Sequence, residues 1–361
     1  MAGVYISYPF CSQKCSFCNF ASDVSTSDSI SQYEGVLLQE VTAHQWNWTP
    51  ETLYFGGGTP SLMSFAFLRK LMDALPQQAL TEATLECAPG TITMEAARVW
   101  RSCGINRVSL GVQSFITREL RQTGRRHTAE TVEHDIQMLR EAGINSLNVD
   151  LIAGLPGQTV TSWEQSLQWI ERLRPEHVSV YIFEVDEDSR LGKEVLLGGN
   201  RYGALSVPDE DLTAELYERA AQYLASLDIQ RYEISNFAKP GRESRHNLKY
   251  WKSEPYVGFG LDAHSFDGER RWGNPDVLLE YLKAGKPAVE TSTSDIAEEH
   301  FFVGLRLSAG MEPTPQEWSR FERPISKWLA AGMLERAGSR LRLTDRGVLV
   351  SNEVLQEFVN V

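Results

Sequence analysis

The sequence predicts an α/β fold, a partial (β/α)6 barrel followed by a smaller, mostly helical C-terminal region. Two observations carry this. Short apolar runs alternate with amphipathic segments from Val4 to Glu184, the pattern of βαβ units around a parallel sheet. The residues with chemistry also fall just after, or near the end of, those apolar runs. Right-handed crossovers bring such positions together on one face, where barrel sites are found.

Strands are expected at 4–7, 52–55, 84–87, 107–112, 146–152 and 177–183, rich in β-branched and aliphatic residues. Helical periodicity lies between them at 31–43, 62–74, 94–102, 130–141 and 162–173. Six such units fall short of the eight of a closed barrel. Beyond Glu184 the pattern changes. Loops are expected at 186–189 and 197–200, then a helix at 208–227 with Pro208 and three acids in its first turn. The chain divides at this level into a barrel core (1–184), an extension (185–275) and a helical, winged-helix-like tail (276–361). The tail closes with a short strand near 341–347 leading into a helix.

Length and composition bound the function. A chain of 361 residues can bury a large core and a second unit. A formal charge of −13 argues against a nucleic-acid surface or a polybasic membrane patch. No apolar run reaches the ~18 residues of a spanning helix, and no secretory leader opens the chain. The expected location is the cytoplasm, whose reducing conditions suit the thiol-rich loop described next.

That loop is Cys11-Ser12-Gln13-Lys14-Cys15-Ser16-Phe17-Cys18. Three thiolates at C-x3-C-x2-C spacing can meet one iron–sulfur centre. A structural zinc site would want four ligands, usually in paired knuckles, and there is no second knuckle. Disulfides fit poorly with five cysteines. Cys87 and Cys103 stand alone and read as small buried hydrophobes.

Other unusual residues follow the later strands. Gly56-Gly57-Gly58-Thr59-Pro60-Ser61 lacks a Walker lysine and dinucleotide spacing; alone it reads equally as a tight turn. Glu86 ends the third strand, Gln113 the fourth; Asp150 lies in the fifth and Tyr181 in the sixth. His127 reads as a cap for the following helix, and Gly154-Leu155-Pro156-Gly157 as a turn.

The triplet, with Phe17 before its last cysteine, resembles the cluster loop of the radical S-adenosylmethionine (SAM) superfamily. The flanking Tyr5-Ile6 and Pro9-Phe10-Cys11 resemble the branch holding oxygen-independent coproporphyrinogen III oxidases and HemW-type haem chaperones. The similarity runs over almost the whole chain. It implies a 4Fe–4S cluster on Cys11, Cys15 and Cys18, with one iron left to chelate SAM. It implies SAM contacts from Tyr5, Phe17, Gly57, Gly58, Thr59, Glu86, Gln113, Arg125 and Asp150. Two departures fall in the opening stretch, Ser7 where the branch often has histidine and Phe20 where the oxidases have a fourth cysteine. Ala88 replaces an asparagine common in relatives.

The stretch His246-Asn247-Leu248-Lys249-Tyr250-Trp251 resembles the HNxxYW signature of the chaperone type. Imidazole is a standard axial ligand of haem iron, and aromatic rings can stack on a macrocycle. The resemblance implies that His246, Asn247, Tyr250 and Trp251 meet haem; if His246 is not the ligand, His264 or a cysteine is the alternative. Two functions from different classes follow. One is a haem chaperone without oxidase activity, serving acceptor haem proteins, those of the respiratory chain by resemblance. The other is an oxidase in which a 5′-deoxyadenosyl radical starts decarboxylation of propionates. Phe20, the ten residues before Cys11 and the HNxxYW stretch all favour the chaperone. Whether the chain is an enzyme stays open, as do SAM cleavage, the acceptors and the oligomeric state, a homodimer included.

Overall fold

The computed structural model describes residues 2–76, 80–284, 290–291 and 296–359. Six parallel strands stand in chain order: β1 (Ala2–Tyr8), β2 (Pro50–Gly57), β3 (Glu82–Cys87), β4 (Arg107–Gln113), β5 (Ser146–Ala153) and β6 (His177–Ile182). Between them run α1 (Ser27–Ala43), α2 (Phe65–Ala74), α3 (Met94–Ser102), α4 (Thr117–Gln122), α5 (Ala129–Glu141) and α6 (Val160–Leu173). The fold is the expected partial α/β barrel, each predicted strand lying within one or two residues of an observed one.

Successive strand residues point to opposite faces. Val4, Ile6, Leu53, Phe55, Ala83, Leu85, Val108, Leu110, Leu147, Val149, Val178 and Val180 are buried and join the helices in one core. The alternate residues, among them Tyr5, Thr52, Tyr54, Thr84, Glu86, Arg107, Ser109, Asn148, Asp150, His177 and Ser179, are nearly all polar. They line the concave face, so the barrel encloses a polar chamber. Helix starts are set by side chains: Thr26, Ser64, Thr93, Thr128 and Thr159 each accept a backbone N–H of the first turn.

The extension widens the sheet on both flanks. After α7 (Arg190–Leu196) and α8 (Glu210–Ser226), β7 (Gln230–Arg231) and β8 (Asn236–Ala238) follow, and β8 pairs antiparallel with β6. Helix α9 (Arg245–Trp251) precedes β9 (Tyr256–Phe259), which joins β1 in parallel. Strands β10 (His264–Phe266), β11 (Arg271–Gly273) and β12 (Glu290–Thr291) continue antiparallel from it. The sheet has twelve strands among the described residues. Asp209 caps α8 just inside the predicted start, leaving Pro208 outside.

The tail holds α10 (Leu278–Ala284), α11 (Ile296–Gly304), α12 (Pro315–Arg320) and α13 (Glu322–Ala330). A hairpin of β13 (Leu334–Ala337) and β14 (Arg340–Leu343) follows, then α14 (Asp345–Leu349) and α15 (Ser351–Gln356). Phe301, Phe321 and Phe358 pack together at its centre with ring centroids 4.5–5.7 Å apart. No helix among the described residues is long and apolar enough to cross a membrane.

Candidate functional site

The cysteine loop leaves the C-terminal end of β1 and is tied down on two sides. Ser16 N donates to Thr123 O at 3.1 Å, and Gln13 Nε2 to Gly124 O at 2.6 Å. On the other side Leu191 N, in α7, donates to Ser16 O at 2.7 Å. Cys11, Cys15 and Cys18 are half-buried free thiols. Burial pushes the Cys11 thiol up, opposed by a hydrogen bond from Thr59 Oγ1 at 3.5 Å; the other two thiols add to the rise. No three His, Cys, Asp or Glu side chains among the described residues converge on a single-ion site. A four-iron cluster asks for something wider, because each thiolate binds a different iron.

The glycine loop at the end of β2 is stitched to the cysteine loop. Gly58 N donates to Tyr8 O and Thr59 N to Phe10 O, both at 2.9 Å. A Cβ on Gly58 would lie 2.7 Å from the carbonyl carbon of Pro9, so no larger residue fits that approach. Gly57 takes φ +108°, a conformation open to glycine and strained for other residues.

Glu86 accepts Tyr54 OH at 2.8 Å and Gly57 N at 3.2 Å. Burial raises its carboxyl to about 7, with Asp150 adding to the rise. Asp150 accepts Ser109 Oγ at 3.1 Å and Asn148 Nδ2 at 2.7 Å; burial raises it too, against these hydrogen bonds. Gln113 sits at φ 70°, a left-handed conformation costing a non-glycine residue about 1–3 kcal/mol. Its Oε1 is buried without a partner. Arg125 donates to Gly111 O and lies 6.0 Å from the Phe17 ring centroid, while its Nε has no partner. Orphaned donor and acceptor atoms beside ionisable carboxylates suit a small zwitterion with hydroxyl groups.

The His246 stretch stands at the opposite end of the barrel. It forms helix α9, seated on the N-terminal ends of β2 and β3. Glu82 caps it, accepting Ser244 Oγ at 3.3 Å, Arg245 N at 3.0 Å and His246 N at 2.9 Å. His246 is fully buried, with Nδ1 hydrogen-bonded to Thr52 Oγ1 at 2.9 Å and Nε2 to Tyr250 OH at 2.8 Å. Burial, then Lys249 and Arg107, lower its pKa to about 3. Trp251 lies under the Arg306 guanidinium, 4.5 Å away. In this fold His246 has no nitrogen free for iron, and Asn247, Tyr250 and Trp251 share its helix.

Two smaller expectations need correction. Thr128, not His127, caps α5; His127 Nε2 instead hydrogen-bonds Val112 O at 3.1 Å. Cys87 is buried as expected, but Cys103 is only half-buried, at the end of α3. Two chamber residues escaped sequence reasoning. Glu82 and Arg107 are charged residues at inward positions of β3 and β4, buried to 7% and 2% exposure. That inward parity was the available signal. Tyr181, at the end of β6, remains 42% exposed.

A model of the radical SAM superfamily matches residues 5–170, and one of the HemN C-terminal domain matches 292–350. A Bacillus subtilis protein named heme chaperone HemW is 33% identical over 99% of both chains. Its Escherichia coli counterpart of the same name is 30% identical, over 99% of this chain and 97% of that one. The solved E. coli coproporphyrinogen III oxidase HemN, titled a radical SAM enzyme, shares the fold with a TM-score of 0.85. It is 21% identical, over 99% of this chain and 90% of that one.

Proposed function

The chain belongs to the radical SAM superfamily, in the branch of HemN and close to HemW, and on that premise we propose that it is a haem chaperone. It would hold a 4Fe–4S cluster and SAM, bind haem and hand it to acceptor proteins. The observation that carries the reading is the thiol triplet over a polar chamber whose Gln113 and Arg125 keep unpartnered atoms. Relatives named for haem chaperoning over nearly their whole length support it. So does Phe20, 66% exposed where the oxidases place a fourth cysteine.

Cys11, Cys15 and Cys18 would each take one iron, leaving the fourth for the amino and carboxylate groups of SAM. Together the two groups supply one-electron chemistry at a sulfonium. The chain's residues position the organic ligand. Glu86 would accept ribose hydroxyls, Arg125 would fork onto the carboxylate, and Gln113 and Asp150 would hold the remaining polar edges. Gly57, Gly58 and Thr59 allow close backbone approach, with Tyr5 and Phe17 as aromatic walls. In this proposal α9 stoppers the chamber floor. For haem to reach His246, Asn247, Tyr250 and Trp251, the Thr52 and Tyr250 bonds and the Glu82 cap would have to break.

The test is anaerobic incubation of reconstituted protein with coproporphyrinogen III, SAM and reductant, beside a haemin titration. Haemin binding without decarboxylated product supports the chaperone. Product would move the chain to the oxidases.

A further inference from the structure

Arg107 is a buried cation that no bond explains. It stands on the concave face at the start of β4, 2% exposed. Its Nε is buried without a hydrogen-bond partner, and among the described residues no ion pair ties it to a carboxylate. Thr84, its register partner on β3, is fully buried with an equally unbonded Oγ1. An uncompensated charge inside a fold is costly, so a structural role would come with bonds. Lys249 shows the contrast, buried but ion-paired to Glu51 at 2.9 Å and Glu254 at 3.1 Å.

Strand register places two carboxyls beside Arg107. Ser109, two residues further along β4 on the same face, pairs with Glu86 of β3 on one side and Asn148 of β5 on the other. Its Oγ donates to Asp150 Oδ2 at 3.1 Å, so both carboxyls flank that strand position. The rise from Arg107 to Ser109 is about 7 Å, within the length of an arginine side chain. The guanidinium acts electrostatically on both carboxyls, against the rise that burial imposes on them.

The other groups facing the pair bring no charge to balance it. Tyr5, Tyr54, Tyr181 and Tyr250 reach it from β1, β2, β6 and α9, and burial holds each phenol well above its usual range. His177 and His246 lie near the guanidinium, and burial holds both below the usual imidazole range. Glu82 and Glu233 are committed elsewhere, to the start of α9 and to Asn236 and Arg306. Arg125 is bonded to Gly111 O.

We propose that Arg107 is a positioning residue of the cofactor site, the counter-charge that lets Glu86 and Asp150 act together as hydrogen-bond acceptors for the ligand's hydroxyls. The assignment rests on the SAM-site reading. It works through charge at a distance, so lysine serves in its place and a neutral side chain does not.

The test is calorimetry of SAM binding to the cluster-loaded protein across neutral and alkaline pH, with circular dichroism to report folding. Wild-type affinity should climb with a midpoint near 7, where Glu86 ionises. In Arg107→Met and Arg107→Gln the midpoint should rise by about 0.5–1 unit. Binding should then be about two- to fivefold weaker at pH 7 and converge on the wild type by about pH 9. Arg107→Lys and the control Thr84→Val should keep the wild-type midpoint. A wild-type midpoint in the neutral variants, or a loss equal at every pH, would overturn the assignment and leave the SAM site standing. A wild type whose affinity does not climb would overturn Glu86 as a ligand group and this assignment with it.

Discussion

Glu82 accepts the backbone N–H of His246 at 2.9 Å, and through that bond a strand of the barrel holds the helix that closes its floor. The carboxylate takes two further donors from Ser244 and Arg245, so it satisfies the start of α9 in a buried place. Tyr54 joins this floor to the cofactor side. Its ring lies 5.2 Å from His246, and its hydroxyl donates to Glu86.

Glu82→Ala should therefore destabilise the protein by about 2–4 kcal/mol, the cost of leaving buried donors unpaired. Denaturant unfolding measures it. A loss below about 0.5 kcal/mol would mean that α9 is held by other contacts.

Acid should loosen the same region. His246 is kept neutral in the fold, with a pKa of about 3 against 6.5 when unfolded. Between those values the unfolded chain binds more protons, so stability rises with pH through the window and is lost as pH falls through it. From pH 6.5 to 5 the contribution of this residue is about 2 kcal/mol. Burial lowers His177 as well, in the same sense. Melting curves of His246→Gln should show a shallower pH dependence than those of the wild type; equal slopes would contradict the linkage.

Cys11→Ala, Cys15→Ala or Cys18→Ala should each abolish the brown absorbance of reconstituted protein. Cys87→Ala and Cys103→Ala should leave it, since both lie away from the loop. Equal loss from Cys87→Ala would mean that the ligand set is different.

Arg125→Ala and Asp150→Asn should weaken SAM binding about ten- to a hundredfold, the cost of one hydrogen bond to a charged group, without removing iron. Because burial holds Glu86 near 7, its ionised form gains population as pH rises through that value. Affinity should climb between pH 6 and 8 in the wild type, and Glu86→Gln should bind weakly at both ends. Calorimetry showing a flat wild-type profile would remove Glu86 from the site.

The barrel was legible in the sequence because its signals are local. Helix α3 falls at the predicted residues, since its periodicity and its Thr93 cap lie within one short stretch. Glu86 and Gln113 stood out as polar residues at strand ends, and Asp150 as a polar residue within a strand. Helix α9 was hidden for the opposite reason. It is seven residues long, too short to show a periodic face, and beyond its local Ser244 cap it is anchored by Glu82, more than 160 residues earlier. The position of His246 followed from that helix, which buries the motif as a plug.

The most direct measurement is haem transfer. The cluster-loaded protein is charged with haemin, freed of excess and mixed anaerobically with an apo-haem protein; the acceptor spectrum is followed with time. The chaperone reading predicts that haem leaves this chain and appears in the acceptor, with no coproporphyrinogen decarboxylated in a parallel reaction containing SAM and reductant. Haem that never leaves, or decarboxylated product in the parallel reaction, would contradict it.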